Sequence, residues 1–159
     1  MLEIYFTEAC SVNEKLNELL SGRIPFPFKI SKTENGKPYI EGNPLFFSVS
    51  HSKSKAIIAL CDKPVGVDME VITDRKYNAV ISRLCAEETD EIKTLTDFLK
   101  HWTVREAYIK MSGYTIAEKF KLLKYVNGKL YDEKKEAGCE ITVKTGGEYV
   151  YAVCIDKRP

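Results

Sequence analysis

The spacing of apolar residues divides the chain into three textures. Residues 1–7, dominated by apolar and aromatic side chains, predict a strand. "SVNEKLNELLSG" then switches to helical spacing, with Ser11 as a cap, Leu16, Leu19 and Leu20 as the buried stripe, and Gly22 as the stop. "IPFPFKI" carries too many prolines for a central strand, and Asn35-Gly36 predicts a tight hairpin turn between short extended segments. Strands are expected at about 45–51, 55–61 and 65–71, the last two read as a hairpin joined through "CDKP". The middle is helical: "NAVISRLCAEETDEIKTL", then "TDFLKHWTVREAYIKMSG", capped by Thr96 or Asp97 and ended by Gly113. Strand texture returns in "KLLKYV", "KLYDE", "CEITVKT" and "EYVYAVCI", with turns at Asn127-Gly128 and Gly146-Gly147. This order of elements is α+β, read as one domain over 1–159 built from two small similar αβ lobes, about 1–70 and 71–159, with antiparallel sheets packed side by side.

Within that layout the stretch "VGVDMEV" stands out. Val65, Val67, Met69 and Val71 share one face of the strand, whereas Gly66, Asp68 and Glu70 share the other. Two carboxylates two residues apart repel unless a cation or solvent lies between them, and Gly66 leaves room for something to approach the backbone.

Composition narrows the function classes. Lys plus Arg total 24 against 23 Asp plus Glu, a net charge of +1, so the charge excess of a nucleic-acid binder is missing. "MLEIYFTEAC" has no basic leader region, and no apolar run reaches membrane-span length, so neither signal peptide nor anchor is expected. Cys10, Cys61, Cys85, Cys139 and Cys154 form an odd set without a CxxC pair, which argues against disulfides and zinc and for a reducing, cytoplasmic setting. Cys61 and Cys154 read as buried apolar residues.

Chemistry gathers in four places. Trp102, Glu106 and Lys110 recur every four residues and share a helix face, which by itself describes a surface ion pair beside a half-buried indole. Set beside Asp68 and Glu70, the same face supplies a third carboxylate, enough with phosphate and water to hold a hard cation such as Mg²⁺. "FSVSHS" places Ser48, Ser50, Ser52 and His51 where a strand meets a loop, either as phosphate contacts or as a polar strand end. Lys37 follows the Gly36 turn and precedes Pro38, which presents its ammonium stiffly. His101 lies off the Trp102 stripe and reads as structural. No Walker loop, dinucleotide fingerprint or nucleophile elbow is present.

"NGKPYI", "FSVSHS", "VGVDME" and "WTVREAYIK" followed by Gly113 resemble, in order and content, the successive signatures of the 4′-phosphopantetheinyl transferases of the surfactin-synthetase-activating (Sfp) type. "EYVYAVCI" resembles that type's last core strand. The resemblance implies that family's fold and its reaction: transfer of the phosphopantetheine arm of coenzyme A to a serine of an apo acyl or peptidyl carrier protein, with release of adenosine 3′,5′-bisphosphate. Carried over by position, Asp68, Glu70 and Glu106 would bind Mg²⁺, and Lys110 would contact the pyrophosphate. Lys37, Ser50 and His51 would hold nucleotide phosphates, and Glu106 would be the base for the carrier serine. Arg105 stands where the family has lysine, so a phosphate contact there would use a guanidinium instead of an ammonium. The stretch before Asn35 is shorter than usual for this type, leaving Arg23, Lys29 and Lys32 as the basic residues available for the coenzyme's adenosine end. The resembling two-lobe form is monomeric. Two other readings use the same residues: a coenzyme A- or carrier-binding module without turnover, and a metal-dependent phosphohydrolase needing a positioned water.

Overall fold

The computed structural model describes residues 1–73 and 77–158. Its elements run β1 (Glu3–Glu8), α1 (Val12–Ser21), β2 (Ile30–Lys32), β3 (Pro38–Ile40), β4 (Phe46–Ser52), β5 (Lys55–Cys61) and β6 (Val65–Val71). They continue with α2 (Asn78–Ile81), α3 (Ala86–Glu91), α4 (Leu95–Ser112), α5 (Ile116–Lys119), β7 (Leu123–Val126), β8 (Lys129–Asp132), β9 (Lys135–Glu136), β10 (Cys139–Gly146) and β11 (Tyr149–Asp156). The result is α+β with small antiparallel sheets, ordered β1-β5-β4, β10-β11-β6, β2-β3 and β7-β8-β9. Among the described residues no helix is long and apolar enough to cross a membrane.

Burial explains the layering. Strand β5, "KAIIALC", is apolar on both faces because both are covered. Ile58 and Leu60 pack with Leu16, Leu19 and Leu20 of α1. Ile57, Ala59 and Cys61 pack with Val65, Val67, Met69 and Val153 of the second sheet. The far side of that sheet, at Ala152 and Cys154, is covered by Val104, Ala107, Tyr108 and Met111 of α4. The order of layers is thus α1, first sheet, second sheet, α4.

Strand β6 follows β5 through a short turn, yet it pairs with β11 (Asp68 opposite Ala152), not with β5. The hairpin expected from the sequence is therefore replaced by a crossing from one sheet to the other at 62–64. A strand with valines and a methionine on one face and a glycine on the other is buried better between two layers than beside β5. Gly66 shows why: a Cβ there would lie 1.9 Å from the Ala107 carbonyl oxygen and 2.4 Å from the Met111 nitrogen. What approaches the backbone at Gly66 is helix α4.

The outward N–H groups of β6 are met by side chains. The hydroxyls of Ser48, Ser50 and Ser52 on β4 accept from the N–H groups of Val67 (3.0 Å), Met69 (3.2 Å) and Val71 (3.1 Å). Three serines at strand spacing thereby close an edge that would otherwise be open.

Local signals shift some boundaries. Helix α4 begins two to three residues earlier than expected, because Thr94 accepts from the Asp97 N–H while the Asp97 carboxylate accepts from the Thr94 N–H. Gly113 ends it in the left-handed region at φ 78°. The single helix expected over the preceding stretch divides into α2 and α3, since Cys85 is extended and starts a new capping box with Glu88. Ser11 caps no N–H with its side chain.

Candidate active site

Two of the three expected acidic residues stand on β6, which presents them toward α4 and the serines of β4. Asp68 is 5 % exposed. Its Oδ1 accepts from Lys110 Nζ at 2.7 Å and from Ser50 Oγ at 2.8 Å. Its Oδ2 is buried and, among the described residues, has no hydrogen-bond partner. Burial pushes the Asp68 carboxyl up from its ordinary range, opposed by the Lys110 charge and the two hydrogen bonds. Glu70 is less buried and accepts from Ser52 Oγ at 2.8 Å. Serines that close the β6 edge thus also fix two carboxylates.

Glu106 faces this pair from α4. Burial pushes it up to about 7, the negative charges of Asp68 and Glu70 add to the shift, and Lys110 opposes it. The three carboxylates therefore share one electrostatic field, with the Lys110 ammonium inside it. Trp102 lies one turn before Glu106 and packs against Phe98 and Phe120, with ring centroids 6.2 and 5.7 Å away.

Beside Lys110 opens a cleft of about 250 Å³ lined by Gly36, Lys37, Ser48, Ile109, Lys110 and Gly113 among others. The β2–β3 hairpin forms its far wall and is strapped to the C-terminal end of α4. Asn35 Nδ2 donates to the Gly113 carbonyl at 3.0 Å, and Lys37 Nζ donates to the Met111 carbonyl. Burial lowers Lys37 to about 8, only partly offset by the charge of Asp156. A half-buried ammonium on the Met111 carbonyl and a second ammonium at Lys110 both line the cleft and suit a phosphate-bearing ligand.

Not every expected residue reaches this cleft. Ser50 is buried, with its hydroxyl engaged by the Met69 N–H and Asp68. His51 is exposed next to the β4–β5 turn, pointing away from the Ser50 side of its strand. Arg23 and Lys29 are held in ion pairs to Glu3 (2.5 Å) and Glu41 (2.8 Å). Arg105 requires a correction. It is 1 % exposed, and its guanidinium donates to Glu88 Oε1 and to the carbonyls of His101 (3.2 Å) and Leu123 (3.1 Å). One residue along a helix is a rotation of about 100°, which turns Arg105 away from the Glu106 face toward α3 and β7. His101 is structural, buried with Nδ1 3.5 Å from Glu88 and Nε2 3.4 Å from Glu91. The sequence reading missed Glu88, whose only signal is its place as the acidic third residue of the "CAEE" helix start.

The model of the 4′-phosphopantetheinyl transferase superfamily matches residues 64–154, more than half of the chain. The chain belongs to this superfamily. The matched segment of this transferase-family chain contains Asp68, Glu70, Glu106 and Lys110 but leaves out Lys37 and the β4 serines. Among curated relatives, the 4′-phosphopantetheinyl transferase Sfp of Bacillus subtilis (strain 168) is 29 % identical over 142 residues, covering 79 % of this chain and 62 % of that protein. The 4′-phosphopantetheinyl transferase gsp of Aneurinibacillus migulanus is 30 % identical over 90 residues, 52 % of this chain and 37 % of that protein. The 4′-phosphopantetheinyl transferase AcpT of Salmonella typhi is 37 % identical over 92 residues, 50 % of this chain and 47 % of that protein. The chain thus spans less than two thirds of the length of each of these relatives.

Whether the superfamily chain can hold a divalent cation depends on its donors. Among the described residues no three His, Cys, Asp or Glu side chains form a ready coordination group. The donor chemistry nevertheless fits: hard carboxylate oxygens, one of them the orphaned Asp68 Oδ2, in a field that already holds a cation. Lys110 and Ser50 donate to Asp68 Oδ1, and Ser52 donates to Glu70 Oε2.

Proposed function

We propose that this chain transfers the phosphopantetheine arm of coenzyme A to a serine of an apo carrier protein and releases adenosine 3′,5′-bisphosphate. The observation that carries this reading is the meeting of Asp68, Glu70 and Glu106 with Lys110, whose side chain also lines a cleft shared with Lys37. In this reading Lys37 and Lys110 hold the phosphates of coenzyme A, and Asp68, Glu70 and Glu106 would hold Mg²⁺. The cation, when bound, would neutralise charge developing on the pyrophosphate. The carrier serine Oγ forms a bond to the pantetheine-side phosphorus as the bridging P–O bond breaks, and the bond pair leaves with the bisphosphate. The serine proton passes to Glu106, directly or through one water. Without a bound cation the Glu106 carboxyl stands at about 7, a range suited to a general base close to neutral pH. Lys110 stabilises the departing charge. The β2–β3 hairpin, β4 and α4 of one chain line the cleft, which supports action as a monomer, and the unpaired cysteines support a reducing, cytoplasmic setting.

A binding module without turnover draws support from a specific feature: Lys110 occupies the carboxylate that the cation would need. Glu106→Gln separates the two readings, because the amide keeps an oxygen for a metal and cannot act as a base. For a transferase, calorimetry shows coenzyme A binding retained while transfer to a carrier falls by about a hundredfold or more. Unchanged transfer would remove Glu106 from the chemistry.

A further inference from the structure

Lys110 faces two ways. Its Nζ lies 2.7 Å from Asp68 Oδ1 in an ion pair whose carboxylate partner is almost wholly buried, and its side chain also lines the cleft that runs to Lys37. Among the described residues, Ser50 shares Asp68 Oδ1, and Glu106 on α4 shares the field of Asp68, Glu70 and Lys110. Asp68 Oδ2 meanwhile remains buried without a partner among the described residues, an acceptor that one ammonium leaves unsatisfied.

We propose that Lys110 and a divalent cation are alternative partners of Asp68, so that the protein takes up its metal together with a phosphate-bearing ligand that draws the ammonium off. This rests on the transferase reading and deepens it into an order of assembly. Without the ligand, Lys110 neutralises Asp68 and repels a second cation. When pyrophosphate enters the cleft, the Lys110 stem swings its ammonium from Asp68 to the phosphate oxygens, and both oxygens of Asp68 become available. A side chain with four rotatable carbons can make that change while α4 stays in place. The serines hold Asp68 and Glu70 in position meanwhile, so little else must rearrange. A like charge at this range weakens binding of a cation by about one to three decades. The coupling is reciprocal: the metal also tightens coenzyme binding.

The test reads Mn²⁺ binding by calorimetry, not turnover. In wild-type protein without coenzyme A, Mn²⁺ binds weakly, and saturating coenzyme A tightens it at least about tenfold. Lys110→Met binds Mn²⁺ without coenzyme A at least about tenfold more tightly than wild type, and coenzyme A tightens it by a smaller factor than in wild type. Lys110→Gln behaves the same way and serves if the methionine variant fails to fold by circular dichroism. Competition is overturned if both variants bind Mn²⁺ no better than wild type, or if wild-type affinity ignores coenzyme A. A carrier mass assay on wild type keeps the two ideas apart. If carriers are modified while Mn²⁺ affinity ignores Lys110, only the competition falls; if nothing is modified and neither ligand binds, the transferase reading falls with it.

Discussion

Arg105 and Glu88 are each 1 % exposed and meet in a charge-assisted hydrogen bond, with Tyr125 N–H also donating to Glu88 at 2.9 Å. Burial alone would raise the Glu88 carboxyl, but hydrogen bonds with His101 and Arg105 and the Arg105 charge hold it down at about 2. Removing one member of such a pair strands the other without compensation. Arg105→Met should therefore cost about 3–5 kcal/mol in urea unfolding while leaving coenzyme A affinity unchanged; weakened affinity in a folded variant would return Arg105 to the ligand. The sign with pH follows from the lowered folded value. Glu88 contributes its stability above the unfolded carboxylate range and loses it as pH falls toward 2. Wild type should thus lose stability over that window, and Glu88→Gln should show a shallower loss. Asp68, Glu70, Glu106 and Lys110 were legible in the sequence because strand and helix periods put them on defined faces. Arg105 was misread because it is adjacent to Glu106 in sequence and lies on another side of the helix.

At the scale of elements, β6 is held on three sides: by β11 through backbone pairing, by the serines of β4, and by α4 over Gly66. Its carboxylates are consequently fixed by neighbours with no freedom to slip by a residue, a slip that would turn them to the other face. Gly66→Ala should be severely destabilising, since its methyl would meet helix backbone that cannot rotate aside. We expect a loss of about 3 kcal/mol or more in urea unfolding, at or beyond the upper end for overpacked cores. A loss below about 1 kcal/mol would show that α4 can lift without penalty. Most strands and tight turns were readable from local pattern: Asn127 and Gly128 take positive φ values of 51° and 74°, as their hairpin requires. The partner of β6 was not readable, because β11 is far along the chain and nothing in "CDKP" marks a change of sheet. The spacing of Ser48, Ser50 and Ser52 was visible, but its use as a row of acceptors depends on which edge lies opposite.

At the scale of the whole molecule, four layers bring together groups from distant parts of the chain. The first sheet and the β2–β3 hairpin supply the serines and Lys37, the second sheet supplies Asp68 and Glu70, and α4 supplies Glu106 and Lys110. Asn35 and Lys37 fasten the hairpin to the end of α4, so ligand binding and the packing of the two halves act on the same contacts. The ordered motifs mark the residues that this packing brings together, whereas the role of Gly66 and the Lys110–Asp68 pairing depends on packing alone. The central claim is the transfer itself. Its most direct measurement is the intact mass of a panel of purified apo acyl and peptidyl carrier proteins after incubation with this protein, coenzyme A and Mg²⁺. At least one carrier should gain the mass of a single phosphopantetheine, lost when its acceptor serine is replaced by alanine. A folded protein that binds coenzyme A yet leaves every carrier in a broad panel unmodified would contradict it.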